Sequence, residues 1–476
     1  MSHKNSTKLK FSALVAVVVG SMIGGGIFSL PQNIAVSANV NAVLIGWGIT
    51  ALGMLMLAFV FQILANRKPQ LNGGVYAHAK AGFGDYIGFC AAWGYWLSAW
   101  LGNVGYFVLL FSTLGYFFPV FGQGNTPTSI ICASVLLWTV HSLVLRGIAQ
   151  ATFVNLIATT AKIVPIFLFI VICLLFFKFN LFTSDIWGHS NPLLGNTLNQ
   201  VRHMMLVTVW VFIGIEGASV FSSRAKNPAD VGKATLLGFI IVLLLLVLVS
   251  LLSFGIMSQQ NLAKLQNPSM MGVLEHAVGP WGAYLVCAGL IISLFGALLS
   301  WALLCAEIVF IAAKDHTMPL FLRYENANRV PANALWLTNI LIQIFLIIIL
   351  FSGSTYLTLV YLSSSMILIP YLGSAAYTIR LAISGETYSQ SEKKRTKEFI
   401  IATLAAIYAL WLLYAGGIKY LLLSALLYVP GAILFAKAKR EAGKTIFKPI
   451  EKCIFVIMMI GALIAAYALH KGFLTL

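Results

Sequence analysis

Two stretches of this chain have residue types and spacings suited to coordinating a small charged solute. The first is Gly20-Ser21-Met22-Ile23-Gly24-Gly25-Gly26-Ile27-Phe28-Ser29-Leu30-Pro31, and the second is Trp210-Val211-Phe212-Ile213-Gly214-Ile215-Glu216-Gly217-Ala218-Ser219. Each interior glycine costs a helix roughly 1 kcal/mol relative to alanine, so both stretches favour local unwinding. Unwound backbone presents bare N–H groups to anions and bare C=O groups to cations, which is what a zwitterion requires. Glu216 adds a carboxylate. Trp210 and the distant Trp301 add indole faces, on which an ammonium or guanidinium group gains roughly 0.5 to 2 kcal/mol.

Other residues at similar depth extend the candidate set. Lys162 and Glu307 lie within apolar runs, and the expectation is that one neutralises the other or that the lysine bonds carbonyls freed in the first stretch. Asn103 offers a polar group to a cargo head. Tyr95, Trp96, Trp100 and Ser363 to Ser365 serve packing or helix–helix hydrogen bonding equally well.

This is the chemistry of binding, without bond making. The chain has no phosphate-binding loop, no GxSxG and no HExxH, and its eight histidines never approach metal-ligand spacing. The six cysteines are scattered through apolar segments as small buried hydrophobes. No cofactor or metal is expected, and without a nucleotide site any transport is secondary.

The elements that position these residues are membrane helices. Of 476 residues, 60% are hydrophobic and 9% charged, with a mean hydropathy of +0.92. A soluble domain averages about 25% charged residues. Apolar spans read at about 11–36, 41–65, 83–118, 129–145, 151–177, 203–222, 234–257, 281–312, 332–351, 355–379, 399–415, 418–436 and 453–470. Gly416-Gly417 makes the eleventh and twelfth a tight hairpin.

The net charge of +17 does not indicate nucleic acid once the charges are placed. With the N-terminus cytoplasmic, twenty-four of the 30 Lys and Arg residues fall on the inner side. That asymmetry is the one the positive-inside rule demands, so the basic excess orients the chain and meets anionic lipid.

The two glycine breaks lie five spans apart, an odd number, so the second enters the membrane from the opposite side. Paired broken helices of this kind indicate a transporter built from inverted repeats, with the site between the breaks. The expected organisation is a single transmembrane unit over 1–476, with five-helix repeats at 1–177 and 200–383 and C-terminal helices at 397–476. Polar segments 66–84 and 313–331 are expected to gate an inner vestibule, and 258–280 to form an external cap.

GSMIGGGIFSLP, VFIGIEGASVFSSRAKNP, GYWLSAWLGNVGYFVLLFSTLGYFFPVFG, the run from Phe295 to Trp301, CAEIVFIAAKDHTMP and SSSMILIPYL together resemble the amino acid/polyamine/organocation superfamily. Within it they resemble the basic amino acid/polyamine antiporters, closest to the arginine/ornithine branch. Histidine/histamine, lysine/cadaverine and arginine/agmatine exchangers share much of this pattern, and a proton-coupled symporter is the alternative mode. The resemblance implies an all-α polytopic fold with a 5+5 inverted repeat, broken helices 1 and 6, and a multi-pass place in the cell inner membrane. It also implies homodimers.

Carried over by position, the resemblance gives the backbone of Ser21 to Gly26, including Gly24 and Gly25, the substrate carboxylate. Ile23 and the Trp210 to Ile213 backbone take the amino group. Trp301 is the aromatic face for the side chain, Tyr95 closes one side, and Asn103 contacts cargo, with Trp96 and Ser364 completing the set. Trp210 is an inner gate and Glu216 a gating or proton-sensing carboxylate. Lys162 resembles the lysine that stands in for sodium in proton-linked relatives. Two features depart from the pattern: Glu307, where arginine/agmatine exchangers lack an acid, and a thirteenth span.

Overall fold

The computed structural model describes residues 11–71, 74–147, 152–216, 228–388 and 392–474. Gly217 and the rest of the expected sixth span to residue 222 lie outside them, as do Lys4, Lys8, Lys10, Arg224 and Lys226. Among the described residues the chain is helical throughout, with no strand.

Helix α1 (Phe11–Met22) stops where Gly24 takes an extended conformation. A 3₁₀ turn at Gly25–Ser29 then leads into α2 (Leu30–Ala35), with a 46° bend across the break. There follow α3 (Val40–Arg67), α4 (Val75–Phe83), α5 (Asp85–Gly115), α6 (Pro127–Leu145), α7 (Thr152–Leu175), α8 (Phe179–Thr183) and α9 (Thr197–Trp210). The second half comprises α10 (Pro228–Ser253), α11 (Gln259–Ala263), α12 (Ser269–Val278), α13 (Pro280–Lys314), α14 (Ala332–Ser352) and α15 (Tyr356–Ser384). The chain ends with α16 (Glu392–Tyr428), α17 (Gly431–Glu441) and α18 (Pro449–His470).

Among the described residues nine helices are long and apolar enough to span alone, and the bent first pair makes a tenth. The other expected spans are present in altered form. α9 has only 14 residues because its helix ends at the second break. α7 keeps a full span of 24 residues, Thr152–Leu175, with Pro165 inside the helix. The eleventh and twelfth spans form a single helical run, split at Gly417, whose φ of 73° is inaccessible to a regular helix.

The chain reverses at that glycine. Before it, Glu398 pairs with Arg67 and Gly416 lies on Leu206. After it, Tyr420 packs on Tyr361 with ring centroids 5.4 Å apart, Ser424 bonds Ser365 at 3.2 Å, and Lys439 pairs with Asp85. The hairpin turns at Gly417, far from the face that carries Arg67, Lys80, Asp85 and Lys439, called the basic face below.

One local device occurs twice. α4 ends at Gly84 (φ 93°, ψ −177°) before the long α5, and α12 ends at Gly279 (φ 87°, ψ −173°) before the long α13. Each positive φ turns the chain sharply from a short helix into a central one, and only glycine takes such angles without strain. α5 and α15 are the least apolar spans and the most buried, because their polar side chains face other helices. α18 is almost wholly exposed at the periphery.

Side chains tie the loops to these helices. On the basic face Lys80 Nζ donates to Asp315 Oδ2 at 2.7 Å and to Thr317 Oγ1 at 3.0 Å, joining segment 66–84 to segment 313–331. On the opposite face Asn267 Nδ2 donates to Gln32 Oε1 at 3.0 Å and Asn33 Oδ1 at 2.9 Å, and Gln259 Nε2 to the Ala35 carbonyl at 2.6 Å. These bonds hold segment 258–280 on the end of α2.

Candidate functional site

The two breaks face each other across one cavity. Ser21, Ile23, Gly24 and Gly26 line it from the first, and Trp210, Val211 and Ile213 from the second. α5 contributes Ser98, Gly102 and Tyr106, and α13 contributes Trp301. Gly25 lies just behind the lining, where an added Cβ would stand 3.0 to 3.3 Å from Leu294, Leu109 and Tyr106.

The breaks are joined directly. Ser21 Oγ donates to the Val18 carbonyl at 2.9 Å and lies 3.3 Å from the Gly214 carbonyl. Gly214 has φ 109°, and a Cβ there would stand 2.6 Å from the Ser21 carbonyl oxygen. Conformation and space both demand glycine at this point. Lys162 Nζ donates to the carbonyls of Gly20 at 3.2 Å and Ile23 at 2.7 Å, which the end of α1 leaves without helical partners. A cation is therefore built into the wall beside the first break.

The expected pairing of Lys162 with Glu307 is not formed. Gly289 of α13 is the residue against Ala161, next to Lys162 in sequence. Glu307 lies eighteen residues further along α13, about 27 Å at 1.5 Å per residue. Lys162 takes the alternative role of bonding freed carbonyls.

Tyrosines bracket the cavity at two levels. α5 starts on the basic face and α15 ends there, so Tyr106 and Tyr356 lie toward the far face and Tyr95 and Tyr371 toward the basic one. Trp210 belongs to the far level: its Nε1–H donates to the Tyr356 hydroxyl at 3.1 Å, and its ring centroid is 6.1 Å from that of Tyr106. Its indole fills a slot between Gly26 and Gly102, where added Cβ atoms would stand 2.6 and 2.9 Å from it. Trp210 therefore lies on the side of the cavity away from the basic face. The Tyr106 hydroxyl stands against the first break, 2.6 Å from where a Cβ on Gly24 would be.

Glu216 belongs to the near level. Its Oε2 accepts from the Gly214 N–H at 3.2 Å and the Tyr371 hydroxyl at 2.9 Å, with Tyr95 of α5 beside it. The acid thus ties the second break to α15.

Like Gly25 and Tyr95, three further candidates lie outside the lining. Trp96 Nε1 donates to Thr338 Oγ1 of α14 at 3.0 Å, within a run of packed rings that includes Trp93 and Trp100. Asn103 Nδ2 lies 3.6 Å from Cys305 Sγ, turned toward α13. Ser364 Oγ donates to the Leu206 carbonyl at 2.8 Å and braces α9. Sequence reasoning missed Tyr106, Tyr356 and Tyr371. A tyrosine in an apolar helix looks like packing, and only the register of α5 against α15 brings these rings to the breaks.

Comparison with known proteins follows the same lines. The family model described as amino acid permease matches residues 9–459. The arginine/ornithine antiporter of Pseudomonas aeruginosa is 68% identical over 482 residues, covering 100% of both chains. The L-lysine transport protein of Corynebacterium glutamicum is 42% identical over 99% of this chain and 97% of its own. The arginine/agmatine antiporter of Chlamydia felis is 42% identical over 98% of this chain and 97% of its own.

Proposed function

The chain belongs to the amino acid permease family, within the amino acid/polyamine/organocation superfamily, and from that premise we propose that it exchanges arginine for ornithine across the cell inner membrane. The observation that carries this reading is the end-to-end 68% identity with an arginine/ornithine antiporter. The cavity suits the task. Its lining offers the backbone of the first break to a carboxylate, that of the second break to an ammonium, and the Trp301 face to a guanidinium. Among the described residues no acid lines it, so the cation is held by rings and dipoles.

Trp210 with Tyr106 and Tyr356 is the gate toward the far face, and Glu216 with Tyr95 and Tyr371 is the gate toward the basic face. The basic face is cytoplasmic, repeats span 1–177 and 200–383, and the working unit is a homodimer. Exchange of arginine for ornithine moves no net charge, whereas exchange for agmatine exports one positive charge per cycle.

Proteoliposomes test the reading. They are loaded with ornithine, agmatine, lysine, histamine, cadaverine or nothing, and labelled arginine entry is followed with and without a membrane potential. Ornithine loading is expected to drive the fastest, potential-independent entry. Equal uptake into empty vesicles would sink the exchange mechanism.

A further inference from the structure

Glu307 is the intramembrane charge that the mechanism above leaves unused. On α13 it belongs to a stripe of residues three and four apart: Gly289, Ser293, Gly296, Ser300, Leu304, Glu307 and Ile311. The first half of the stripe is covered. Gly289 abuts Ala161 and Pro165 of α7, and Ser293 and Gly296 are buried. The second half is not, for Leu304 and Ile311 are each 37% exposed. A carboxylate facing hydrocarbon costs several kcal/mol. Water against the uncovered half of the stripe, between Trp301 and the basic face, would relieve that cost and make of it a cleft.

The charge inventory of that face isolates the residue further. Asp85 pairs with Lys80 and Lys439, Asp315 with Lys80, Glu386 with Lys68 and Glu398 with Arg67. The Glu441 carboxylate accepts the Leu320 N–H and that of Glu451 the Tyr86 N–H. Glu307 forms no ion pair or side-chain hydrogen bond among the described residues, and Glu325 and Lys314 are the charges whose fields reach it. A cation approaching through a face crowded with Lys and Arg needs an attractive charge on its path. Glu307 lies six residues from Trp301, about 9 Å along the helix.

We propose that Glu307 recruits the cationic cargo on the basic face, holding its side-chain ammonium or guanidinium in the cleft before it reaches Trp301. The inference rests on the transport reading above. It makes Glu307 a specificity residue for entry from one face, acting on cargo of net positive charge.

The test is the sidedness of affinity. Exchange is measured in right-side-out and inverted membrane vesicles of the full chain, for wild type, E307Q, E307D and E325Q. In E307Q the KM for ornithine or agmatine offered to the basic face should rise about two- to fivefold, the range of a partly screened ion pair. The KM at the opposite face and kcat should hold, added salt should shrink the difference, and E307D should restore most of it. E325Q should change KM on the same face less. A KM shift equal on both faces, or none on the basic face, overturns the proposal. Wild-type vesicles that exchange no cationic amino acid on either face would overturn the transport reading instead.

Discussion

Three residues of the cavity wall give separable predictions. Trp301 offers an indole face where a cationic side chain has no carboxylate to meet. Trp301→Leu should raise the KM for arginine by about two- to thirtyfold, the reach of a cation–π contact, with much less effect on kcat in exchange assays. Glu216 accepts one bond from within the second break and one from Tyr371 of α15, and its carboxylate lies behind the lining. Glu216→Gln should lower kcat roughly tenfold, about 1.4 kcal/mol of barrier, while KM changes little. Gly214→Ala places a side chain at φ 109° and against the Ser21 carbonyl. It should cost about 1 to 3 kcal/mol, seen as a lower unfolding temperature in detergent, and abolish exchange. The glycines and Glu216 were legible in the sequence because their cost in an apolar helix demands a reason. Tyr356 and Tyr371 were not, since nothing local separates a gating ring from a packing ring.

At the scale of elements, the sequence showed long helices by their apolar runs and missed the short ones that aim them. α4 and α12 are too short to announce themselves by periodicity, yet each feeds a central helix through a glycine at positive φ. The placement of the peripheral α18 was equally hidden, because it depends on one buried side chain. Glu451 accepts the Tyr86 N–H at 3.2 Å and the Lys448 N–H at 2.8 Å, capping the start of α5 as well as its own helix. Glu451→Ala should therefore destabilise the protein by about 1 kcal/mol, the usual worth of a cap, and lower its unfolding temperature in detergent while Glu451→Gln retains most of the stability. An equal loss in both variants would assign the effect to packing.

For the whole molecule, the distribution of Lys and Arg in the sequence predicts an orientation with the basic face cytoplasmic. The reversal at Gly417 and the return of Lys439 to Asp85 add that the last helix starts from the basic face at Pro449 and ends across the membrane. A reporter fused after His470 should then be active as a periplasmic phosphatase and dark as a cytoplasmic fluorescent protein. The same reporters placed in the turn between α17 and α18 should give the opposite pattern. Matching patterns at the two sites would mean that α18 lies along the surface.

The contact between Ser21 and the Gly214 carbonyl has a consequence for stoichiometry. The protein's own groups join the two broken helices, and a bound amino acid competes for them. Moving the halves apart without cargo strips those groups of partners in a dry wall, whereas a bound amino acid supplies replacements. On the exchange reading proposed above, reorientation then favours the occupied form, and the atoms expected to receive the load are the ones that hold back the empty carrier.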